Sequence, residues 1–157
     1  MQPTETLKTI VAELGECLTK VSPDSIETAL DELSKTQRVF LAGAGRSGLA
    51  IRSFAMRLMH MRRTVHLVGE TTTPGIKKDD LLILGSGSGR TASLLAMAQK
   101  SKQLGARLML ITVYPDSPIG ELADCVVQIP APSPKVQSDN FSSNSIQPMG
   151  SAVKISC

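Results

Sequence analysis

Apolar residues recur along this 157-residue chain in two different rhythms. Leu7, Ile10, Val11, Leu14 and Leu18 are spaced like one face of a helix. They predict a helix capped at Thr4 or Thr6 and running to about Lys20. Ser22-Pro23-Asp24 reads as a break with a new cap, and residues 25–35 as a second helix with Ile26, Leu30 and Leu33 on one face. From Arg38 the rhythm changes. RVFLAGAG, TVHLVGE, DDLLILGSGSG, ARLMLITVYPDSP and DCVVQIP read as short strands with continuous apolar stretches. Between them, SGLAIRSFAMRLMHM and RTASLLAMAQKSKQLG read as helices, the second closed by Gly105, and SPIGELA as a short helix.

Strands that alternate with helices, and that are apolar throughout, call for a parallel sheet covered on both faces. Ligands of such sheets bind beyond the carboxyl ends of the strands. The loops that matter are therefore 43–48, 69–75, 85–91 and 113–118. Residues 1–36 form the two helices ahead of the sheet, expected to pack on it or on a neighbouring subunit. Residues 131–150 are rich in Pro, Ser and Asn and predict a long loop, with only SAVKISC after it.

Charge and composition narrow the chemistry. A net charge of +3 suits a small anionic ligand and falls short of the dense basic stripe of a nucleic-acid binder. With no Trp and one Tyr, platforms for stacking bases are scarce. Cys17, Cys125 and Cys157 are scattered and odd in number, which implies neither a metal site nor a disulfide framework and fits a reducing cytoplasm. No apolar run is long enough to span a bilayer, and the N-terminal residues do not read as a signal peptide.

Two glycine loops carry the candidate chemistry. The first, GAGRSG at 43–48, has the spacing G-x-G-x-x-G, and Glu70 closes the next strand where a dinucleotide site would grip ribose. By itself that pattern is a weak signal. The second, GSGSGRTAS at 85–93, sets Ser86, Ser88 and Thr91 among glycines at a helix start, a compact nest for one phosphate. Ser47 adds a hydroxyl from the first loop, so the two loops are expected to converge on one phosphomonoester. Gly45, Gly87 and Gly89 would let backbone approach it, and Arg46 stands near the mouth. The plainer reading of the hydroxyls is helix capping and turn chemistry. His60, at the end of the first long helix, is a candidate proton shuttle or simply a helix-end histidine; His66 reads as structural. Glu70 and Thr72, with Thr73, rim the site and are candidates to orient a sugar hydroxyl or to serve the loop.

The serine-rich loop resembles the phosphate loop of the sugar isomerase (SIS) domain. AGAGRSGLA, SFAMRLMHM, VGETTTP, GSGSGRT and IQPMGS, in this order, resemble the 6-phospho-3-hexuloisomerases within that superfamily, over about residues 5 to 151. The resemblance implies a three-layer α/β/α sandwich with a five-stranded parallel sheet, of flavodoxin-like or Rossmann-like kind, over residues 37–151. It implies interconversion of D-arabino-3-hexulose 6-phosphate and fructose 6-phosphate, a step of formaldehyde fixation through the ribulose monophosphate route. A homotetramer, a small-molecule hexulose 6-phosphate as partner, and no metal or organic cofactor are implied with it. The chemistry is an enediol proton shift, which needs a base, donors to the enediolate oxygen and a firm phosphate anchor. The competing readings are a non-catalytic SIS module that senses phosphosugar and a nucleotide-dependent oxidoreductase built on GAGRSG and Glu70. A transcriptional regulator would need a DNA-binding module, and the residues ahead of the first strand hold too few basic side chains for one.

In the family, QPMGS leads into a closing helix with a glutamate at its start as the expected base. Here Gln147-Pro148-Met149-Gly150-Ser151 is followed by residues 152–157, an atypical tail, and no Glu lies after Glu121. The expectation is a chain that binds phosphosugar but turns it over poorly, and whose assembly is weakened by uncovered apolar surface. A version given a family-type helix and glutamate should isomerise about a hundredfold faster or more in a coupled assay, the usual reach of a general base. Equal rates would reject the expectation.

Overall fold

The computed structural model describes residues 2–131 and 145–147. Two helices open the chain, α1 (Pro3–Thr19) and α2 (Pro23–Lys35). There follow β1 (Arg38–Gly43), α3 (Gly45–His60), β2 (Thr64–Leu67), β3 (Leu81–Gly85), α4 (Ala92–Gln103), β4 (Arg107–Thr112) and β5 (Cys125–Gln128). The long loop expected over 131–150 and the tail at 152–157 lie almost wholly outside the described residues.

All pairings are parallel, in the order β2-β1-β3-β4-β5. Strand residues alternate between two buried faces. Val39, Leu41, Leu81, Ile83, Met109 and Val127 meet Cys17 of α1, Ala29 of α2 and Ile51, Ala55 and Leu58 of α3. Phe40, Ala42, Leu82, Leu84, Leu108 and Leu110 meet Leu94 and Ala98 of α4 and Ile119. This is the α/β/α sandwich with a five-stranded parallel sheet, and burial on both faces is why the strands read as continuous apolar runs.

Element ends differ from the sequence reading where local chemistry intervenes. Pro3 takes the first position of α1, so Gln2 is the N-cap and no side chain caps it; Thr4 and Thr6 lie inside the helix. Proline suits that position because its fixed φ is helical and its missing N–H would have no partner there. Ser22 caps α2 by accepting from the Ser25 N–H, again ahead of a proline, so α2 begins two residues earlier than expected. β2 stops at Leu67, because Gly69 is left-handed (φ 97°) and the Glu70 N–H turns back to the Leu67 carbonyl. SPIGELA is reduced to one 3-10 turn, Gly120–Leu122. Gly105 does close α4. It is left-handed (φ 78°), its N–H bonds Lys102 O, and the Ala106 N–H bonds Ser101 O. That pair of bonds is the Schellman ending.

Paired charges gather at the amino ends of the strands. Arg38 grips Asp80 through two hydrogen bonds, at 2.9 and 2.5 Å, and Arg107 grips Glu32 of α2 at 2.8 and 2.6 Å. Lys102 of α4 holds both Asp124 oxygens, and Asp124 also accepts from the Leu108 N–H. Burial pushes the Asp124 carboxyl up, but Lys102, the Leu108 N–H and the Arg107 charge outweigh it and hold it below the usual carboxylate range. That contribution to stability is present above the unfolded aspartate pKa and fades as pH falls through the depressed folded value.

At the opposite, carboxyl edge the packing depends on absent side chains. A Cβ on Gly48 would lie 2.6 Å from the Gly43 carbonyl oxygen, and one on Gly43 would lie 2.9 Å from Gly48 Cα. Gly48→Ala in an ordinary helix would gain about 0.5–1 kcal/mol. Here the clash is with rigid backbone, so overpacking wins and a net loss of about 1–3 kcal/mol is expected in urea denaturation. A stabilised variant would show that β1 and α3 do not need this approach.

Candidate functional site

β1 and β3 are neighbours, and their last residues, Gly43 and Gly85, are register partners. β2 lies on the other side of β1, so the strand order reverses between β1 and β3. The two glycine loops therefore leave the sheet at its switch point, where ligands of such sheets bind. Each loop runs into a helix whose N-terminus has no side-chain cap: Ala44 precedes α3, and Thr91 precedes α4 without capping it. The first N–H groups of a helix lack intrahelical partners and form its positive end.

The second loop shows where its hydroxyls go. Ser86, almost fully buried, accepts from the Gly89 N–H at 3.1 Å and lies 3.3 Å from the Thr91 hydroxyl. Ser88 accepts from the Arg90 N–H at 3.3 Å. Turn chemistry thus accounts for the oxygens of Ser86 and Ser88. Capping does not account for Thr91, whose hydroxyl faces Ser86 instead of its own helix. A hydroxyl has one proton and two lone pairs. With Ser88 oxygen serving as a backbone acceptor, its proton remains to be donated, and an acceptor-rich anion is what such a group recognises.

The first loop places Ser47, half-buried, in the opening turn of α3, with Arg46 exposed beside it and Gly45 left-handed (φ 56°). Gly89 is left-handed as well (φ 62°), and a Cβ there would meet Ser117 Oγ at 2.0 Å. Gly87 has open space where a Cβ would stand.

Other candidates are placed elsewhere. His60 is exposed at the far end of α3, about 20 Å along the axis from Ser47. The chain does not bring this imidazole to its own loops. His66 stacks on Phe40, ring centroids 5.0 Å apart, in keeping with a structural role. Glu70 is spent on an ion pair with Arg52 of α3 at 2.6 Å and lies three residues beyond the end of β2. That differs from the strand-end acid expected of a dinucleotide site. Thr73 donates to the Leu67 carbonyl, serving the turn, and Thr72 is exposed. Among the described residues no cluster of His, Cys, Asp and Glu could hold a metal ion. Burial pushes the Cys125 thiol up, away from nucleophilic use.

Two features escaped sequence reasoning. Thr112 and Ser117, both fully buried, back the serine loop from the β4 side. Glu13 of α1 accepts from the Ser145 hydroxyl at 2.7 Å, the Ile146 N–H at 2.9 Å and the Gln147 side chain at 3.0 Å, docking the start of the QPMGS run onto the first helix. Burial pushes the Glu13 carboxyl up, and these three hydrogen bonds more than reverse it. Neither has a sequence signal. A helical Glu reads as a solvated face, and a threonine at a strand end reads as strand propensity.

The family model described as SIS domain matches residues 32–155. The chain belongs to the SIS domain family. Within it, this SIS protein is 45% identical over 151 residues to the 3-hexulose-6-phosphate isomerase of Bacillus subtilis, across 96% of this chain and 80% of that one. It is 46% identical over 128 residues to the 3-hexulose-6-phosphate isomerase of Mycobacterium gastri, across 82% of this chain but only 64% of the relative. The fold superposes with a TM-score of 0.77 on a Methanococcus jannaschii protein whose crystal structure infers a 3-hexulose-6-phosphate isomerase function. That pair is 34% identical and covers 97% of this chain and 82% of the other.

Proposed function

We propose that this SIS protein is a phosphosugar isomerase that interconverts D-arabino-3-hexulose 6-phosphate and fructose 6-phosphate, and that its GSGSGRT turn anchors the phosphate. One observation carries the anchor: hydroxyls and uncapped helix starts from adjacent strands share the switch-point edge, with the turn's hydroxyl oxygens used as acceptors by its own backbone. The relatives' names supply the substrate class. Ser86, Ser88 and Thr91, with Ser47 from the first loop, are the proposed phosphate ligands. Gly45, Gly87 and Gly89 keep the backbone close, and Arg46 faces the sugar phosphate at the mouth. Glu70, held by Arg52, and Thr72 form the rim on the β2 side.

The turn supplies anchorage, not proton transfer. Serine and threonine hydroxyls titrate far above neutrality and cannot serve as the base. Binding energy from the phosphate positions carbons 2 and 3 for the enediol shift. His60 could act only on a site other than the one its own chain builds, given its place at the far end of α3. Turnover of hexulose phosphate places the protein in the ribulose monophosphate route of formaldehyde fixation. The buried Cys125 thiol supports a cytoplasmic setting, and no described helix is long and apolar enough to cross a membrane. Assembly as a homo-oligomer, a tetramer by resemblance, is supported by unpartnered apolar side chains. Leu7, Val11 and Leu18 form one exposed stripe on α1, and Leu49, Met56 and Met59 are exposed on α3.

Ser88→Ala should weaken fructose 6-phosphate binding about tenfold or more in calorimetry, the worth of a hydrogen bond to a charged group. Unchanged affinity would refute the anchor. Binding that survives with no turnover in a coupled assay would instead favour the phosphosugar-sensing reading. In sedimentation at micromolar concentration the protein should run as an oligomer, and Val11→Asp should shift it to a smaller species. A monomeric wild type would refute the assembly.

A further inference from the structure

The serine turn does not hold its shape alone. Its Gly87 carbonyl accepts the Val113 N–H at 3.2 Å and faces the Thr112 hydroxyl at 3.3 Å. Its Gly89 carbonyl accepts the Ile119 N–H at 3.2 Å. Both partners come from the segment that follows β4, so this segment grasps the turn at both its inner glycines. Thr112 is wholly buried, and its oxygen also accepts the Tyr114 N–H at 3.2 Å, while the Tyr114 carbonyl lies farther from it, at 3.4 Å, than the Gly87 carbonyl. Ser117, also buried, accepts the Gly120 N–H at 3.3 Å, and its Oγ fills the place where a Gly89 side chain would stand.

A trans peptide points its N–H opposite to its carbonyl. Fixing the Gly87 carbonyl toward β4 therefore turns the Ser88 N–H to the other side. Fixing the Gly89 carbonyl does the same for the Arg90 N–H, which is where the Ser88 oxygen receives it. The segment after β4 thus sets which backbone groups the turn presents, with no need to touch the ligand.

We infer that Thr112 and Ser117 are positioning residues that orient the GSGSGRT turn for anion binding by holding Gly87 and Gly89 from behind. The inference rests on the phosphate-anchor reading above, and names residues that act on it at one remove. Thr112→Val keeps the shape, removes the hydroxyl from Gly87 and leaves the Tyr114 N–H without its acceptor. Thr112→Ser keeps the hydroxyl. Ser117→Ala removes the Oγ behind Gly89 and keeps the Cβ.

The test is calorimetric affinity for fructose 6-phosphate and, separately, for inorganic phosphate, well below the melting temperature of each variant. Thr112→Val should weaken both ligands by the same factor, about fivefold, as expected for one lost neutral hydrogen bond. Thr112→Ser should restore both. Ser117→Ala should weaken both about threefold, and decides the matter if Thr112→Val does not fold. A lower melting temperature with unchanged affinities would mark a merely structural role and overturn the inference. Ser88→Ala separates the two levels. If it loses affinity while Thr112→Val and Ser117→Ala bind like wild type, the inference falls and the anchor stands. If Ser88→Ala also binds like wild type, the anchor falls and takes the inference with it.

Discussion

The approach of β1 to α3 is the constraint on which the rest depends. Gly43 and Gly48 face each other with backbone against backbone, and neither has room for a methyl group. Ile51, one turn on, occupies the space beside Gly85, where a Cβ would come within 2.4 Å of its side chain. One helix start is thus drawn against the ends of two strands at once. Were α3 held off by side chains, its first turn would stand away from the serine turn that leaves β3. The glycine spacing G-x-G-x-x-G is therefore a statement about strand-to-helix distance. It says nothing by itself about whether a dinucleotide or a single phosphate ester is bound. That is why the pattern supported two readings, and why Glu70, bound to Arg52 beyond the end of β2, matters in weighing them.

Charge is sorted along the strand axis. At the amino ends, Arg38 with Asp80, Arg107 with Glu32, and Lys102 with Asp124 are matched pairs, the first two with a buried carboxylate and the third with a half-buried one. Breaking such a pair would strand a buried charge, so these contacts hold the lower edge in one arrangement. At the carboxyl ends the described residues offer hydroxyls, glycines and helix N-termini instead. A fixed positive dipole end suits an incoming anion, and the Glu70 carboxylate on the β2 side is paired with Arg52. The two edges have opposite tasks. One satisfies its charges internally, and the other leaves its donors to be satisfied from outside.

The fold was largely legible because the inner strands β1, β3 and β4 are buried on both faces. Continuous apolar runs such as Leu81–Leu84 have no other use, and helix-period stretches between them leave few topologies. Element ends were less legible, since they turn on single interactions. The Pro3 position displaced the cap from Thr4 and Thr6, and the left-handed Gly69 cut β2 short. The serine turn was visible because hydroxyls among glycines are an unusual local pattern. His60 attracted attention for its titration range alone, and helix length then carried it to the opposite edge of the sheet. Thr112, Ser117 and Glu13 were invisible for a different reason. Each acts on residues brought to it only by the tertiary fold, and Glu13 meets partners more than a hundred positions away.

A single principle links the serine turn to the segment behind it. Four bonds of the turn run to backbone, Ser86 to Gly89, Ser88 to Arg90, Gly87 to Val113 and Gly89 to Ile119, while the Ser86 and Thr91 hydroxyls meet each other. Each of the four occupies a carbonyl or hydroxyl oxygen of the turn, and the first two also take up the Gly89 and Arg90 N–H groups. In the proposed phosphate anchor, the Ser88 hydroxyl, whose oxygen already accepts from the Arg90 N–H, keeps a proton to donate. Preorganisation follows from the same bonds, because a turn already fixed at both glycines loses little further freedom when the ligand arrives. The proposed anchor is in this sense a product of β4 as much as of the glycine-rich motif itself.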